Sequence, residues 1–360
     1  MRGVICQWSA GFLLLALVIS TQACSDDEDG GSAGSTSSSV SSAAPQVATG
    51  VWYVGALRDK SSNKHYPFTV AGTNFSVLTN GVRTTWGVQI VGVSYLAGSL
   101  YIGAANNGGI WWKNNAAGTL AFSNNHASGM AVSGNDVIMV GTASSKPALW
   151  HNGVRTDLDT SSGLVADIAI DETGKAVTVG NIYSTNYTWL PSLWREGVRT
   201  LLPLPAGHSL YEMGGLAFSG AQTLAVGTVA TNSGKYACLW DASGAHVLSR
   251  PAGHEGYAGG IVVVAGVARV VGWTEASALA EPCVWVNGGR NALPLPAGAE
   301  SGFSQTISMD GGQELVGGCV KISGTWVPCL WKDRVPSLVS FDTNLYELVE
   351  YSRNYAVAVR

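Results

Sequence analysis

The sequence predicts an all-β fold, a seven-bladed β-propeller of four-stranded antiparallel blades, from three observations. An apolar strand ending in glycine recurs seven times along the chain. A second strand follows each of these, and in six cases it carries a tryptophan. Between them lie short β-branched runs bounded by Gly, Asn, Asp and Pro, while helix-period stretches and helix caps are nearly absent.

Before the repeats stands an address. Residues 11–19, GFLLLALVI, are too short to span a bilayer and have the character of a signal-peptide core, with Arg2 ahead of them and Ser20-Thr21-Gln22-Ala23-Cys24 behind. A cysteine directly after such a core and a small Ala resembles the lipobox of bacterial lipoproteins, which implies that Cys24 is acylated and becomes the mature N-terminus. Ordinary cleavage and secretion is the alternative. Residues 25–29, SDDED, resemble the export tags that carry some Gram-negative lipoproteins to the outer face of the outer membrane; a plain solvated charge run is the other reading. The Gly/Ser-rich stretch that follows has no apolar period with which to bury surface, so it is expected to be a flexible tether. The expected organisation is therefore a signal peptide over 1–23, lipidated Cys24 and tether over 24–49, and a propeller over 50–360, lipid-anchored at the outer membrane and exposed on the cell surface.

The glycine-marked strand, strand B, ends at Gly55, Gly103, Gly141, Gly180, Gly227, Gly272 and Gly317. Strand C then carries Trp112, Trp150, Trp194, Trp240, Trp285 or Trp331, with Val70 in that slot of the first repeat. Strand D follows turns such as HNG, REG and NGG; strand A leads into the next glycine mark, as in ASGMAVS and GGIVVVA. One such unit has bare edges and two faces to cover, so tandem copies must stack, and a ring leaves only short, protected edges. Residues 345–352, LYELVEYS, would supply the missing strand A of blade one and close the ring. Residues 355–359 look like an eighth strand B competing with WYVG at 52–55, and six or eight blades would also fit the spacing.

The recurrent Val-Gly, Leu-Trp-x-x-Gly, polar strand and Gly-rich return is similar to secreted bacterial lipoproteins with tandem propeller repeats, including HAF-type extracellular repeats. The resemblance covers roughly 51–360 and implies a fold and an extracellular setting; it implies no catalytic residue, and a fold alone supplies no function.

Charge excludes one class of partner. Without Arg2 and the acids at 26–29 the chain is close to neutral, so it has no basic surface with which to release counterions from DNA or RNA.

Propeller loops divide between two faces, with D–A and B–C connections on one and A–B and C–D turns on the other. The first set is longer and more varied, and loops on a rigid scaffold commonly carry binding. An aromatic recurs just before strand A at Trp86, Tyr211, Tyr257, Phe303 and Tyr346, and Trp189 and Trp326 each stand five residues before an anchor Trp. Flat rings around a concave site suit sugar faces and apolar peptide side chains; wedging between blades as core is the competing role. His208 and His254 fill the same place in two PAGH loops, and Glu212, Glu255, Glu300 and Glu347 stand nearby. Paired carboxylates at the right separation perform glycosidic chemistry. Asp171-Glu172-Thr173-Gly174 is best read as an A–B turn.

Cys238, Cys283 and Cys329 share a slot two residues before the anchor Trp, where other blades have Ala148 and Ser192, so it is a small, packed position. Cys319 and Cys329 are expected to face each other across a hairpin and to be capable of a disulfide. No His accompanies these cysteines at ligand spacing, so no metal and no cofactor is expected. The sequence lacks a Gly-rich phosphate loop between a strand and a helix, a Gly-x-Ser-x-Gly elbow followed by a helix, and a His-Glu-x-x-His motif, which lowers the expectation of an enzyme. The expected function is a non-catalytic envelope module binding a glycan or protein partner. The alternatives are a carbohydrate-active lyase or hydrolase using loop Glu and His residues, and a scaffold subunit of an outer-membrane complex.

Overall fold

In the computed structural model, residues 51–71, 74–79, 88–105, 109–114, 116–120, 125–186, 188–348 and 356–358 are described. They form seven antiparallel sheets and no helix. Cys24, the leader and the tether lie outside the described residues, as does Trp86.

Each sheet runs A–B–C–D from the ring centre outward. Blade four is representative: Gly163–Ile170, Ala176–Tyr183, Trp189–Arg195 and Val198–Leu201 pair in that order. Blades two and three begin at Gln89 and Asn125, and blades five, six and seven at Ser209, Glu255 and Ala299. Blade one takes strands B, C and D from Trp52–Asp59, His65–Ala71 and Asn74–Val77, and its innermost strand from the end of the chain.

That closure corrects one expectation. Tyr346–Leu348 pairs with Leu57–Asp59 as expected, but Ala356–Ala358 is not an eighth strand B: it pairs with Trp52, Tyr53 and Val54 themselves. Both C-terminal pieces thus cover the inner edge of one strand, which removes the edge that an open ring would expose. Tyr53 ties the seam from the other side, donating its hydroxyl to the Gly318 carbonyl in blade seven at 2.6 Å.

The anchor tryptophans are the centre of each inter-blade core, all six at 0–1% exposure. Trp240, Trp285 and Trp331 also donate across the blade boundary, giving their indole N–H to the carbonyls of Pro203, Ser249 and Pro294 at 2.6, 2.6 and 2.8 Å. Each acceptor lies just past strand D of the preceding blade, so one bond both satisfies a buried donor and links adjacent blades. In blade one Phe68 faces Gly55 in the slot that Ala, Ser and Cys fill elsewhere, and Val70 replaces the Trp, so the large side chain has moved two residues along the strand.

The recurring glycine has a steric cause. Strand A carries a β-bulge in blades two to seven, and the bulge presses a carbonyl onto strand B. A Cβ on Gly141, Gly180, Gly227, Gly272 or Gly318 would stand 1.8–2.4 Å from that carbonyl oxygen. The cross-strand partners of these glycines are Ala148, Ser192, Cys238, Cys283 and Cys329. In blade seven the residue in this slot is Gly318, and in blade two it is Ala104, in each case one residue beyond the glycine marked in the sequence.

The possible Cys319–Cys329 bridge is excluded by register, and both cysteines are free. Cys319 lies opposite Pro328 and Cys329 opposite Gly318, so the two side chains leave opposite faces of the sheet. Cys319 packs with Tyr53, Phe303 and Leu315, whereas Cys329 packs with Val271, Leu293 and Trp331. Asp171 begins the A–B turn as expected, accepting from the hydroxyl and amide of Thr173 and the amide of Lys175.

Candidate functional site

The strands of blades five to seven gather a row of aromatic rings near the D–A and B–C face. Strand A of blade five places Tyr211 edge-on to Tyr257 in blade six, with ring centres 6.3 Å apart. Tyr257 stacks on Trp273 at 4.9 Å, Trp273 meets Phe303 edge-on at 5.0 Å, and Phe303 meets Trp326 at 4.9 Å. Five rings therefore run continuously across three blades.

Their positions revise the expectation that these aromatics sit in loops. Tyr211, Tyr257 and Phe303 lie inside strand A, which begins at Ser209, Glu255 and Ala299 rather than at the glycine pairs or small residues further on. The bulge interrupts the period-two pattern and makes the first half of the strand look like a separate segment. Consequently Tyr257 and Phe303 are buried, each at 7% exposure, and act as the wedges between blades. Tyr211, Trp273 and Trp326 are half-buried and present ring surface at the face.

A polar cluster stands over the Tyr211 end. The Lys235 ammonium lies 4.5 Å from the centre of the Tyr211 ring, 2.9 Å from the Tyr257 hydroxyl and 3.4 Å from the Glu255 carboxylate. The Tyr257 hydroxyl donates to the same carboxylate. Burial, reinforced by Glu255, pushes the Tyr257 phenol far above its usual range; burial also raises that of Tyr211. Both rings are therefore neutral hydrogen-bonding groups at physiological pH.

The other predicted residues are distributed around this face. Trp189 packs 4.8 Å from Tyr183 at the mouth of blade four, away from the row. Tyr346 is half-buried in blade one, 6.3 Å from Phe75. His208 and His254 do occupy equivalent turns, each with its Nδ1 near the carbonyl two residues back, at 2.9 and 3.3 Å. They are engaged separately: the His208 ring meets Tyr236 at 5.3 Å, and His254 approaches Glu281 at 3.9 Å. Among the described residues no group of three or more His, Cys, Asp and Glu side chains could hold a metal ion. Glu212 is half-buried in strand A of blade five, and the side chain of Glu347 lies outside the described residues.

Two members of the site were not singled out from the sequence. Lys235 stands five residues before Trp240, the same slot as Trp189 and Trp326, so the repeat itself pointed to it. Trp273 follows the glycine of strand B, where other blades have Thr142, Asn181 and Thr228; only the structure shows its ring turned into the row.

No protein-family model matches the chain, and no curated protein does. Solved structures share its fold. A puromycin-hydrolyzing peptidase of Mycobacterium tuberculosis is similar with a TM-score of 0.57 at 11% identity, over 81% of this chain and 51% of that one. The β-propeller domain of the Trilobed protease from Pyrococcus furiosus, described as having an open velcro topology, has a TM-score of 0.51 at 11% identity, over 83% and 94%. An acylaminoacyl peptidase has a TM-score of 0.50 at 11% identity, over 86% and 63%. The chain thus spans about half the length of the first and most of the second, and the likeness is one of fold.

Proposed function

We propose that this chain is an envelope lipoprotein, held at the outer membrane through Cys24, whose propeller is a non-catalytic binding module for a glycan or a protein partner. The observation that carries the reading is the aromatic row of blades five to seven, with Lys235 and Glu255 at one end. Half-buried rings offer flat apolar area to a sugar face or an apolar side chain, and the charged pair supplies directional hydrogen bonds beside them. The buried Tyr257 and Phe303 hold the row in place, so the surface is organised before a ligand arrives and less ordering entropy is lost on binding.

A peptide ligand is the second reading, supported by the three similar solved structures, each of which is a peptidase or a domain of one. The test is an array of glycans and peptides probed with the protein, with every bound compound assayed for released products. Binding without products is the expected result. Products would make the chain a carbohydrate-active enzyme or a peptidase, and silence on both arrays would leave the scaffold reading.

A further inference from the structure

The D–A connection is nearly identical after blades four, five and six, so each copy shows what packing alone requires of the others. It reads Leu-Pro-Leu-Pro-Ala-Gly-His at 202–208, Leu-Ser-Arg-Pro-Ala-Gly-His at 248–254 and Leu-Pro-Leu-Pro-Ala-Gly-Ala at 293–299. Arg250 thus stands where the sister loops carry Leu204 and Leu295, both half-buried against the inter-blade cores. Leu295 covers Gly302, a methyl 3.0 Å from where a Cβ would be, and the Arg250 stem covers Gly256 in the same way, its Cδ at 3.7 Å. A leucine fills that place, so the guanidinium beyond it is surplus to packing.

The guanidinium stacks on Tyr236, its Cζ 4.1 Å from the ring centre. Tyr236 stands four residues before Trp240, where the flanking blades four and six carry Leu190 and Glu281. His208, from the D–A connection of blade four, meets the same ring edge-on. All three side chains belong to half-buried residues, and none of the Arg250 nitrogens is sealed from solvent without a partner. No carboxylate among the described residues pairs with Arg250, whereas Lys235 and Arg290 are held by Glu255 and Glu281 at 3.4 and 2.8 Å. Hydrogen bonds with Ser233 and Thr231, and then Arg250, bring the Tyr236 phenol down to about 8, so this spot favours negative charge on an oxygen.

We propose that Arg250, stacked on Tyr236 and flanked by His208, binds the carboxylate of an acidic sugar, so that the glycan held by the aromatic row is one containing uronate. A guanidinium meets a carboxylate through two parallel N–H bonds, and stacking on a ring fixes its plane. Lys235 precedes Tyr236 in strand C, and the Arg250 stem lies over Gly256, next to Tyr257, so the anion subsite adjoins the charged end of the row. The exposed hydroxyls of Thr231, Ser233 and Tyr236, linked at 2.8 and 3.1 Å, stand beside it as partners for ring hydroxyls, which favours a sugar over an acidic peptide. The inference rests on the row being the binding surface.

The test measures binding of the full chain to galacturonate, alginate, hyaluronan and glucuronoxylan oligosaccharides, each beside its carboxyl-reduced counterpart, and to a polyglutamate peptide. The variants are Arg250→Leu, Arg250→Lys and Tyr211→Ala. Arg250→Leu restores the side chain of both sister loops and should melt no lower than wild type; Arg250→Lys carries the comparison should it not fold. The expected result is a uronate oligosaccharide bound at least about tenfold more tightly than its reduced form, a preference lost in Arg250→Leu and mostly lost in Arg250→Lys, which cannot bind bidentately. Equal affinity for acidic and reduced forms, or an acid preference intact in Arg250→Leu, would overturn the proposal; if that binding still weakens in Tyr211→Ala, the row stands and only the carboxylate subsite falls. Capture of polyglutamate alone would overturn it in favour of an acidic peptide, and capture of no probe would overturn it together with the glycan reading of the row.

Discussion

The inter-blade hydrogen bond of the anchor tryptophans can be weighed by replacing each with phenylalanine. Trp194, Trp240, Trp285 and Trp331 occupy the same slot at the same burial, so the lost apolar contact and the small cavity left behind, about 2 kcal/mol together, are common to all four. The polar part differs. Trp240→Phe, Trp285→Phe and Trp331→Phe each remove a bond of 2.6–2.8 Å and leave the carbonyl of Pro203, Ser249 or Pro294 without its donor. A net bond is worth about 1 kcal/mol, and an orphaned buried acceptor adds about 1 kcal/mol or more. Trp194→Phe removes an unpartnered N–H and incurs no such penalty. Urea unfolding of the four variants should therefore put Trp194→Phe about 1–2 kcal/mol above the other three. Equal losses at all four positions would refute the reasoning, because the indole N–H would then contribute nothing to the seam between blades.

Three further outcomes follow from the packing. Gly272→Ala should destabilise by about 3 kcal/mol or more, because its Cβ would stand 1.9 Å from the Tyr257 carbonyl oxygen, whereas Gly266→Ala meets no neighbour and should cost about 1 kcal/mol through its φ of 77°; urea unfolding separates the two. Burial pushes the Asp167 carboxyl up to about 6 despite bonds from the amides of Ile168 and Leu216, so the folded state keeps a proton that the unfolded chain has lost between about pH 4 and 6. Stability should fall by about 3 kcal/mol as pH rises through that window, and a pH series of unfolding curves should show the fall flattened in Asp167→Asn. Burial holds the thiols of Cys238, Cys283 and Cys329 at about 12, so in the native protein they should not react with iodoacetamide at pH 8, and a urea-unfolded sample should alkylate at all three.

The architecture was legible because its signals are strictly periodic. Trp112 through Trp331 mark one slot per blade, and a large aromatic returning at a near-constant interval is what a stack of identical cores requires. What escaped the pattern traces largely to one device. The strand A bulge shifts alternation by one residue, which hid the first halves of these strands and placed Tyr211, Tyr257 and Phe303 in loops they do not occupy. Register is likewise a tertiary property: the one-residue offset that sends Cys319 and Cys329 to opposite faces is invisible until the strands are paired. The site was half legible. Repetition located its face and picked out Tyr211, Tyr257, Phe303 and Trp326, but Trp273 joins the row through its cross-strand pairing with Tyr257, and Lys235 hid in a slot where other copies carry tryptophan.

The central claim is that the half-buried rings of blades five to seven hold the ligand while the buried ones hold the fold. Its most direct measurement is titration calorimetry of a compound captured on the array, on wild type, Tyr211→Ala and Trp326→Ala, paired with the melting temperature of each. The account predicts affinity weakened at least about tenfold in both variants, with each still melting cooperatively within a few degrees of wild type. Unchanged affinity in both, or a collapse of the fold in both, would contradict it.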